Sequence, residues 1–370
     1  MRTMKMMFLG AAVALSVVAA NADVVSDQAA AIVIWPDIKA DAEASVDTIV
    51  QLSNTSQTQS ILVHCFYENA NSHCTNNGQV CDEAIDCCEL GVGCGTCQPG
   101  WLETDFRVRL TPRQPLGWSA ATGLVDFPLT GRFGSVGPDG SSNAGSRIPP
   151  TAEDPYTGAL KCIAINDDGT PSDRNVLKGE STLVTPNGDV AKHNAIGIQA
   201  IEGAVNDDNV LVLGGEEAEY NGCASVLIVN HMFDLGIHPV IDAVDVPSVT
   251  NIVLVPCTQD LLRQVPGSAV VQFLVYNEFE QRLSTSRTAN CKADWQLSTI
   301  DQATDPTRSI FSAAVMGTLV GQSRLQPIGS GLIGIANEVI GDDMSPYSSM
   351  SSFNLNMQGD RAEADLITIP

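Results

Sequence analysis

Short runs of alternating or β-branched apolar residues recur along the whole chain. Residues 60–67 and 105–110 show this pattern clearly, and turn-forming residues bound both segments. Such runs are typical of β-strands that bury one face or both faces. Further strands are predicted on the same grounds at 32–35, 48–52, 160–165, 210–213, 225–229, 252–255, 270–276 and 353–357.

Turn signals and the lack of helical periodicity complete this picture. Asn187-Gly188 lies between two apolar runs and predicts a hairpin, because a two-residue type I′ turn needs positive φ at both positions. Beyond the N-terminus no helical period is sustained over about ten residues, and 310–319 comes nearest to an exception. The chain is therefore predicted to be all-β.

The order of the predicted elements repeats along the chain. A series of strands in the first half is followed by Trp101, and a similar series in the second half is followed by Trp295. The matched segments are 31–37 with 224–229, 48–52 with 250–255, and 61–69 with 270–278. We interpret this as two tandem, duplicated β-sandwich domains, Ig-like or jelly-roll-like, at 23–220 and 221–370. The alternative is that any two all-β domains show strands and turns in series.

The first 22 residues have the features of a signal peptide. Arg2 and Lys5 precede an apolar run at 8–20, and Ala20-Asn21-Ala22 is a small-x-small cleavage pattern. The run is shorter than the roughly 20 residues that a membrane helix needs. The sequence predicts a protein that is secreted, periplasmic or at the cell surface after cleavage near Ala22, with no membrane span.

The charge of the chain is strongly acidic. Its 43 acidic and 19 basic residues give a formal net charge of -24. A charge of this size repels phosphate backbones unless a local basic patch outweighs it. The densest basic stretch, Arg107, Arg109 and Arg113, alternates with apolar residues as on the solvent face of a strand. No nucleic-acid partner is therefore expected.

Eleven cysteines in an exported chain predict disulfide bonds. Seven lie between Cys65 and Cys97, and the run HCTNNGQVCDEAIDCCELGVGCGTCQPGW resembles an inhibitor cystine knot, or knottin. We expect residues 74–97 to form a disulfide-stapled insert in a strand-to-strand loop of the first domain. The resemblance implies the pairs Cys74 with Cys88, Cys81 with Cys94, and Cys87 with Cys97. The alternative is a zinc site that combines His64 or His73 with Cys94 and Cys97.

The cysteines outside the knottin-like run are odd in number, so one thiol is expected to be free or to bridge to another chain. The favoured pair is Cys257 with Cys291, because both flank the central strands of the second domain. The full set is Cys65, Cys162, Cys223, Cys257 and Cys291.

Few segments of the sequence suggest a chemical site. His231 and His238 near Asp234 fit a metal or acid–base role, but the sequence favours a half-buried histidine after a strand and a second histidine in a turn before Pro239. The loop with Asp167, Asp168 and Asp173 has oxygen ligands that suit Ca²⁺, so calcium is the cofactor that this loop suggests. The alternative is an ordinary turn rich in Asn and Asp. The Gly-, Ser- and Pro-rich stretch 131–155 predicts a long exposed loop.

No catalytic motif is present, since the chain contains neither G-x-S-x-G nor H-E-x-x-H. The blocks WLETDFRVRLTPRQPLGW and QFLVYNEFEQRLS resemble uncharacterised exported bacterial proteins, and this resemblance implies export but no activity. The sequence favours a non-catalytic structural or binding protein with a protein or glycan partner at the cell surface. The four tryptophans are more typical of a core than of sugar platforms. The alternative is a secreted hydrolase whose carboxylates are scattered in sequence.

Overall fold

The protein is all-β, as predicted. The computed structural model describes residues 27–81, 84–89, 93–123, 148–186, 188–204, 208–239, 245–341 and 349–370. The predicted signal peptide and most of the predicted loop at 131–155 lie outside these residues. We call residues 27–204 the first half and residues 221–370 the second half. No helix in the described residues is long and apolar enough to cross a bilayer.

Fourteen strands lie among the described residues of the first half. They are β1 Ile32–Ala40, β2 Asp47–Asn54, β3 Ile61–Asn69, β4 Ser72–Cys74, β5 Val80–Cys81, β6 Cys88–Glu89, β7 Gly93–Cys94, β8 Cys97–Pro99, β9 Leu102–Leu110, β10 Pro115–Ser119, β11 Tyr156–Ile165, β12 Leu177–Val184, β13 Val190–Asn194 and β14 Ile196–Ile198, with a 3₁₀ turn at Ala84–Cys87. β15, Val210–Leu213, connects the two halves.

The second half has a similar content of strands. They are β16 Ala224–Met232, β17 Ile237–Pro239, β18 Asp245–Pro256, β19 Gln259–Asp260, β20 Ser268–Asn277, β21 Arg282–Asn290, β22 Ala293–Gln296, β23 Val320–Gly329, β24 Leu332–Ile340, β25 Ser349–Asn354, β26 Asn356–Asp360 and β27 Asp365–Thr368. The helical pieces are 3₁₀ turns at Leu297–Thr299 and Pro306–Arg308 and the short helix α1, Ala313–Met316, which lies inside the ambiguous segment 310–319.

Each half contains a five-stranded sheet and a second sheet, and the strand order is the same in both. The five-stranded sheets run β14-β1-β11-β3-β9 in the first half and β26-β16-β23-β20-β21 in the second. The second sheets contain β10-β2-β12-β13 and β22-β18-β24-β25, with β17 also paired to β18. When strands are counted in chain order without the insert, the short β17 and β19, and β27, each strand of one half has a counterpart in the other.

The two five-stranded sheets differ in how they are buried. β20 alternates buried and exposed residues, which is expected of a strand with one face on a core and one in water. β1 and β11 are buried on both faces along almost their whole length. The first-half sheet is therefore covered twice, once by its own second sheet and once by the second half.

The insert is stapled, but its disulfides are not those of a knottin. They join Cys74 to Cys87, Cys81 to Cys97 and Cys88 to Cys94, so the pairs that the resemblance implied are wrong. The hairpin of β6 and β7 places Cys88 directly opposite Cys94. The insert lies between β3 and β9, where the counterpart strands β20 and β21 are joined by a short turn.

The remaining disulfides also differ from the favoured pair. Cys65 bonds to Cys162 across the paired strands β3 and β11, and Cys257 bonds to Cys223, which lies just before β16. The prediction of a Cys257–Cys291 bond is wrong. Cys291 is a buried free thiol, because the turn after β21 directs it toward the first half, where Sγ lies 3.9 Å from the Asn69 carbonyl oxygen.

Two details of the structure differ from what the sequence predicted. Trp295 on β22 lies opposite Ile252, and the strand that matches β22 is β10, where Trp118 lies opposite Val50. Trp118, and not Trp101, is therefore the counterpart of Trp295. The hairpin of β12 and β13 is present, but its loop is longer than two residues, since the Thr185 amide donates to the Asp189 carbonyl.

The thiol content gives a direct test of these disulfides. We expect no reaction of the native protein with a thiol-specific reagent, and one reactive thiol per chain after denaturation without reductant. Burial raises the pKa of Cys291 to about 12, with Glu68 adding to this effect against Lys292 and Lys161, so little thiolate forms. Three reactive thiols after denaturation, or a peptide that joins Cys257 to Cys291, would contradict the assignment.

Candidate functional site

The two halves meet sheet against sheet. The outer face of the first-half five-stranded sheet packs on β18 and β24 of the second half, and β13 lies beside β25. Successive side chains of β18 and β24 point to opposite faces, so alternate residues pack into two different apolar clusters. Those in one apolar cluster with the first half are Val253, Val255, Ile333 and Ile335, and those in the second half's own cluster are Ile252, Leu254, Leu332 and Ala336.

Asp37 is the central charge of this contact. The pairing of β1 with β11 shifts register between Trp35 and Ile38, and Asp37 lies in this irregular stretch with 3% of its surface exposed. Its Oδ1 is 2.9 Å from Lys292 Nζ, and its Oδ2 accepts a hydrogen bond of 3.0 Å from Asn337 Nδ2. Both partners belong to the second half, so one carboxylate binds two segments of it.

A second ion pair extends this group. Lys39 Nζ lies 2.8 Å from Asp294 Oδ2 and 3.5 Å from Asp37 Oδ2. Burial opposes ionisation of Asp37, but the charges of Lys292 and Lys39 outweigh it and hold the pKa of Asp37 well below its usual range. Burial likewise disfavours the charged Lys39, yet Asp37 and Asp294 raise its pKa. Asp37 and Lys39 are therefore both ionised at neutral pH.

A separate polar group lies deeper in the contact and consists of Lys161, Glu68 and Gln259. Lys161 on β11 and Glu68 on β3 belong to the first half, and Gln259 on β19 belongs to the second. Their exposed fractions are 0%, 1% and 2%. Lys161 Nζ lies 3.2 Å from Glu68 Oε1 and donates to Gln259 Oε1, and Gln259 Nε2 donates to Glu68 Oε2 at 2.8 Å.

His193 marks the edge of the contact, where β13 meets β25. Its ring lies 3.0 Å from Ser181 Oγ, and Nδ1 lies 3.2 Å from Ser352 Oγ of the second half. Burial lowers the pKa of His193 to about 4, although Asp37 acts in the opposite direction. The imidazole is therefore neutral at pH 7 and links the two serine hydroxyls as a polar, uncharged group.

The three aspartates of the predicted calcium loop have different surroundings and share no common partner among their described contacts. Asp167 Oδ1 pairs with Arg109 at 2.6 Å, while Asp168 Oδ1 accepts from both the amide and the hydroxyl of Thr170. Asp173 lies exposed beyond this turn. Hydrogen bonds from Thr170 lower the pKa of Asp168. These contacts fit the turn alternative, and the calcium site stays a prediction.

The histidines near Asp234 are not gathered into one site. His231 is buried, with Nδ1 donating to the Met232 carbonyl and Nε2 close to the Ser323 hydroxyl at 2.8 Å. The Asp234 carboxylate accepts the amides of Thr250 and Ser298, so it caps local backbone. His238 lies on β17 in a separate strand pairing.

Potential metal ligands within 4.8 Å of one another occur in two groups among the described residues. One consists of Cys74, Cys81 and Cys87, and the other of Cys223, Cys257 and Asp365. All five sulfurs are oxidised in disulfides, so they lack the thiolate that binds zinc. The alternative zinc site is also not assembled, since His64 pairs with Asp105 and His73 with Glu153.

The polar groups at the contact between the halves pair with one another, and these pairs form only in one orientation of the first half relative to the second. Sequence reasoning missed Asp37, Lys161 and Lys292. A usable signal was present for Lys161, because a lysine in the middle of the apolar run GALKCIAI must be buried if that run is a central strand. Its partners had no such signal.

We expect the Asp37 carboxylate to be essential for the stability of the whole chain. Asp37→Asn leaves the Lys292 ammonium buried without a counter-charge and should lower the free energy of unfolding by about 3 to 5 kcal/mol. Denaturant titration measures this loss. The control Asp167→Asn breaks the exposed pair with Arg109 and should cost at most about 1 kcal/mol. Equal effects of the two substitutions would contradict the role of Asp37.

We also expect His231 to make stability depend on pH. Burial lowers its pKa from 6.5 to about 4, so between these values the unfolded chain binds the proton more readily. The free energy of unfolding should therefore fall as pH drops from about 6.5 to about 4, by on the order of 3 kcal/mol for this residue. His231→Gln should flatten that part of the profile, and an unchanged slope would contradict the assignment.

Comparison with known proteins adds no relative to this geometry. Neither a protein-family model nor a curated protein matches the sequence.

Proposed function

We propose that the chain is an exported, non-catalytic binding protein of the cell surface or extracellular space, built from two copies of one β-sandwich domain. The common strand order of the halves supports the duplication. The disulfide bonds support an oxidising compartment, where such bonds form and persist. The buried ionic groups at the contact between the halves support a structural role for the charges found there.

The observation that carries the binding proposal is the outer face of the five-stranded sheet in the second half. In a chain of 43 acidic residues, these five strands contain a single carboxylate, Asp360, at the end of the edge strand β26. We call the outward side of the sheet the neutral face for its shortage of carboxylates, although Arg282 and Arg324 lie on it. Its exposed or half-buried residues include Asn230, Val270, Gln272, Leu274, Tyr276, Arg282, Ser284, Ser286, Thr288, Gln322, Arg324, Gln326 and Ile328.

The chemistry of the neutral face suits a neutral glycan. A cationic partner is drawn to the acidic remainder of the surface and is repelled locally by Arg282 and Arg324, while an anionic partner meets the long-range repulsion of the net charge of -24. Rows of amide and hydroxyl side chains, such as Ser286, Gln272 and Gln326 across three paired strands, donate and accept hydrogen bonds as sugar hydroxyls require. Ile328 and Tyr276 add apolar surface for the C–H faces of a sugar ring.

We expect the protein to bind a neutral polysaccharide and not an anionic one. Soluble dextran, xylan and laminarin serve as neutral probes, alginate serves as the anionic probe, and isothermal titration measures the affinity. The double variant Gln272→Ala and Gln326→Ala should weaken binding about tenfold or more, because it removes two central amides. Both side chains are exposed, so folding should be preserved.

The matched control is Gln51→Ala on β2, a glutamine on the outward side of the second sheet of the first half. It should leave the affinity unchanged. Absence of binding to all three neutral probes, or equal losses in the control and in the double variant, would overturn the neutral face as a glycan surface. Concentration-dependent self-association blocked by the double variant would instead assign the face to a second copy of the chain.

The second candidate is a secreted hydrolase. It is favoured by a cleft of about 700 Å³ between the halves, lined by the carboxylates of Glu202, Glu216 and Asp360 beside Arg361. A reducing-end assay on the polysaccharide that binds separates the two candidates. Release of reducing ends from a bound polysaccharide, abolished by Glu216→Gln, would favour the hydrolase over the binding protein.

A further inference from the structure

The group of Lys161, Glu68 and Gln259 has the composition and placement of a reactive site and not only of an ion pair. It brings together an amine, a carboxamide and a carboxylate, and all three side chains are at least 98% buried. The paired neighbours of Lys161 are Ile34 on β1 and Phe66 on β3, so apolar side chains flank the amine on the same face. Water, which screens or competes in most such groups, is kept away.

The Glu68 carboxylate contacts two nitrogens, Nζ of Lys161 and Nε2 of Gln259. These are the nitrogens that would exchange if the lysine amine replaced the amide nitrogen of the glutamine. Glu68 Oε2 accepts the hydrogen bond from Gln259 Nε2 at 2.8 Å. Glu68 Oε1 lies 3.2 Å from Lys161 Nζ and has no hydrogen bond of its own. Lys161 Nζ in turn contacts the carboxamide through Gln259 Oε1. One acid–base group therefore stands between the attacking nitrogen and the leaving nitrogen.

We propose that Lys161 and Gln259 become joined by an intramolecular isopeptide bond, with Glu68 as the proton carrier. Glu68 takes a proton from the Lys161 ammonium, and the free amine forms a C–N bond to Gln259 Cδ. The Glu68 carboxyl then protonates Nε2, and the Cδ–Nε2 bond breaks. The extra proton on the new amide nitrogen passes to the departing ammonia, so ammonium leaves and Glu68 ends ionised as it began.

Folding raises the rate of this reaction by holding the amine against the carboxamide. Amines do not attack carboxamides at a measurable rate in dilute solution, but a fixed contact between the two groups replaces the bimolecular encounter. A carboxylate within hydrogen-bond reach of both nitrogens adds general base and general acid catalysis. No oxidant, metal or second protein is required.

The bond would connect the two halves of the chain. None of the five disulfides that the structure describes joins the first half to the second. Lys161 neighbours the Cys65–Cys162 disulfide, and Gln259 lies two residues after Cys257. The link would therefore join two regions that are already cross-linked within their own halves.

Mass spectrometry of the exported wild-type protein tests the proposal. After full reduction and alkylation, the intact mass should be lower by one ammonia than the mass calculated for the mature, fully alkylated sequence. Digestion should yield a branched peptide that holds both Lys161 and Gln259, with no cleavage by trypsin after Lys161. The branched peptide distinguishes the link from succinimide formation at Asn187-Gly188, which loses the same ammonia without joining two segments.

Two matched variants test the role of the carboxylate. Glu68→Gln cannot carry the proton and should show the full sequence mass with Lys161 and Gln259 on separate peptides. Glu103 lies opposite Glu68 on the paired strand β9. The variant Glu103→Gln alters this neighbouring carboxyl and should form the link as the wild type does. A wild-type protein without the ammonia loss and the branched peptide overturns the proposal, even if Glu68→Gln fails to fold.

Discussion

The burial of charge between two packed sheets is the constraint on which this structure depends. The first-half five-stranded sheet has apolar residues on both faces, so it needs a cover on the side that its own second sheet does not reach. The second half supplies that cover, and Asp37 and Lys161 are buried by the same step. A buried charge is tolerated only when a partner lies at the correct position. The ion pairs therefore fix the orientation of the halves, while the apolar contacts provide most of the attraction.

The strands could be predicted because their period is local. Burial on one face gives β20 its alternation, and burial on both faces gives β1 and β11 their continuous apolar runs. The alignment of the two halves was harder, since the insert displaces the numbering between β3 and β9. Matching the tryptophans by their place after a series of predicted strands selected Trp101, whereas sheet pairing selects Trp118. Strand order survives such insertions better than spacing does.

The site could not be predicted, because its residues come together only through tertiary packing. Asp37 and Lys292 are 255 residues apart in sequence, and Lys161 and Gln259 are 98 apart. The predicted disulfide pairs were wrong for a related reason. Cys88 bonds to Cys94 because a two-strand hairpin places them opposite each other, and the cysteine spacing alone does not reveal that hairpin. Lys161 is the one residue whose neighbours in sequence already indicated burial.

The shared strand order has a consequence for the symmetry of the molecule. The halves do not meet through like faces, since a five-stranded sheet of one contacts the second sheet of the other. The contact is therefore heterologous, and the molecule has two unlike ends. Under the proposed duplication, a third unit would add to one end without competing for the existing contact, and the stack would lengthen without closing.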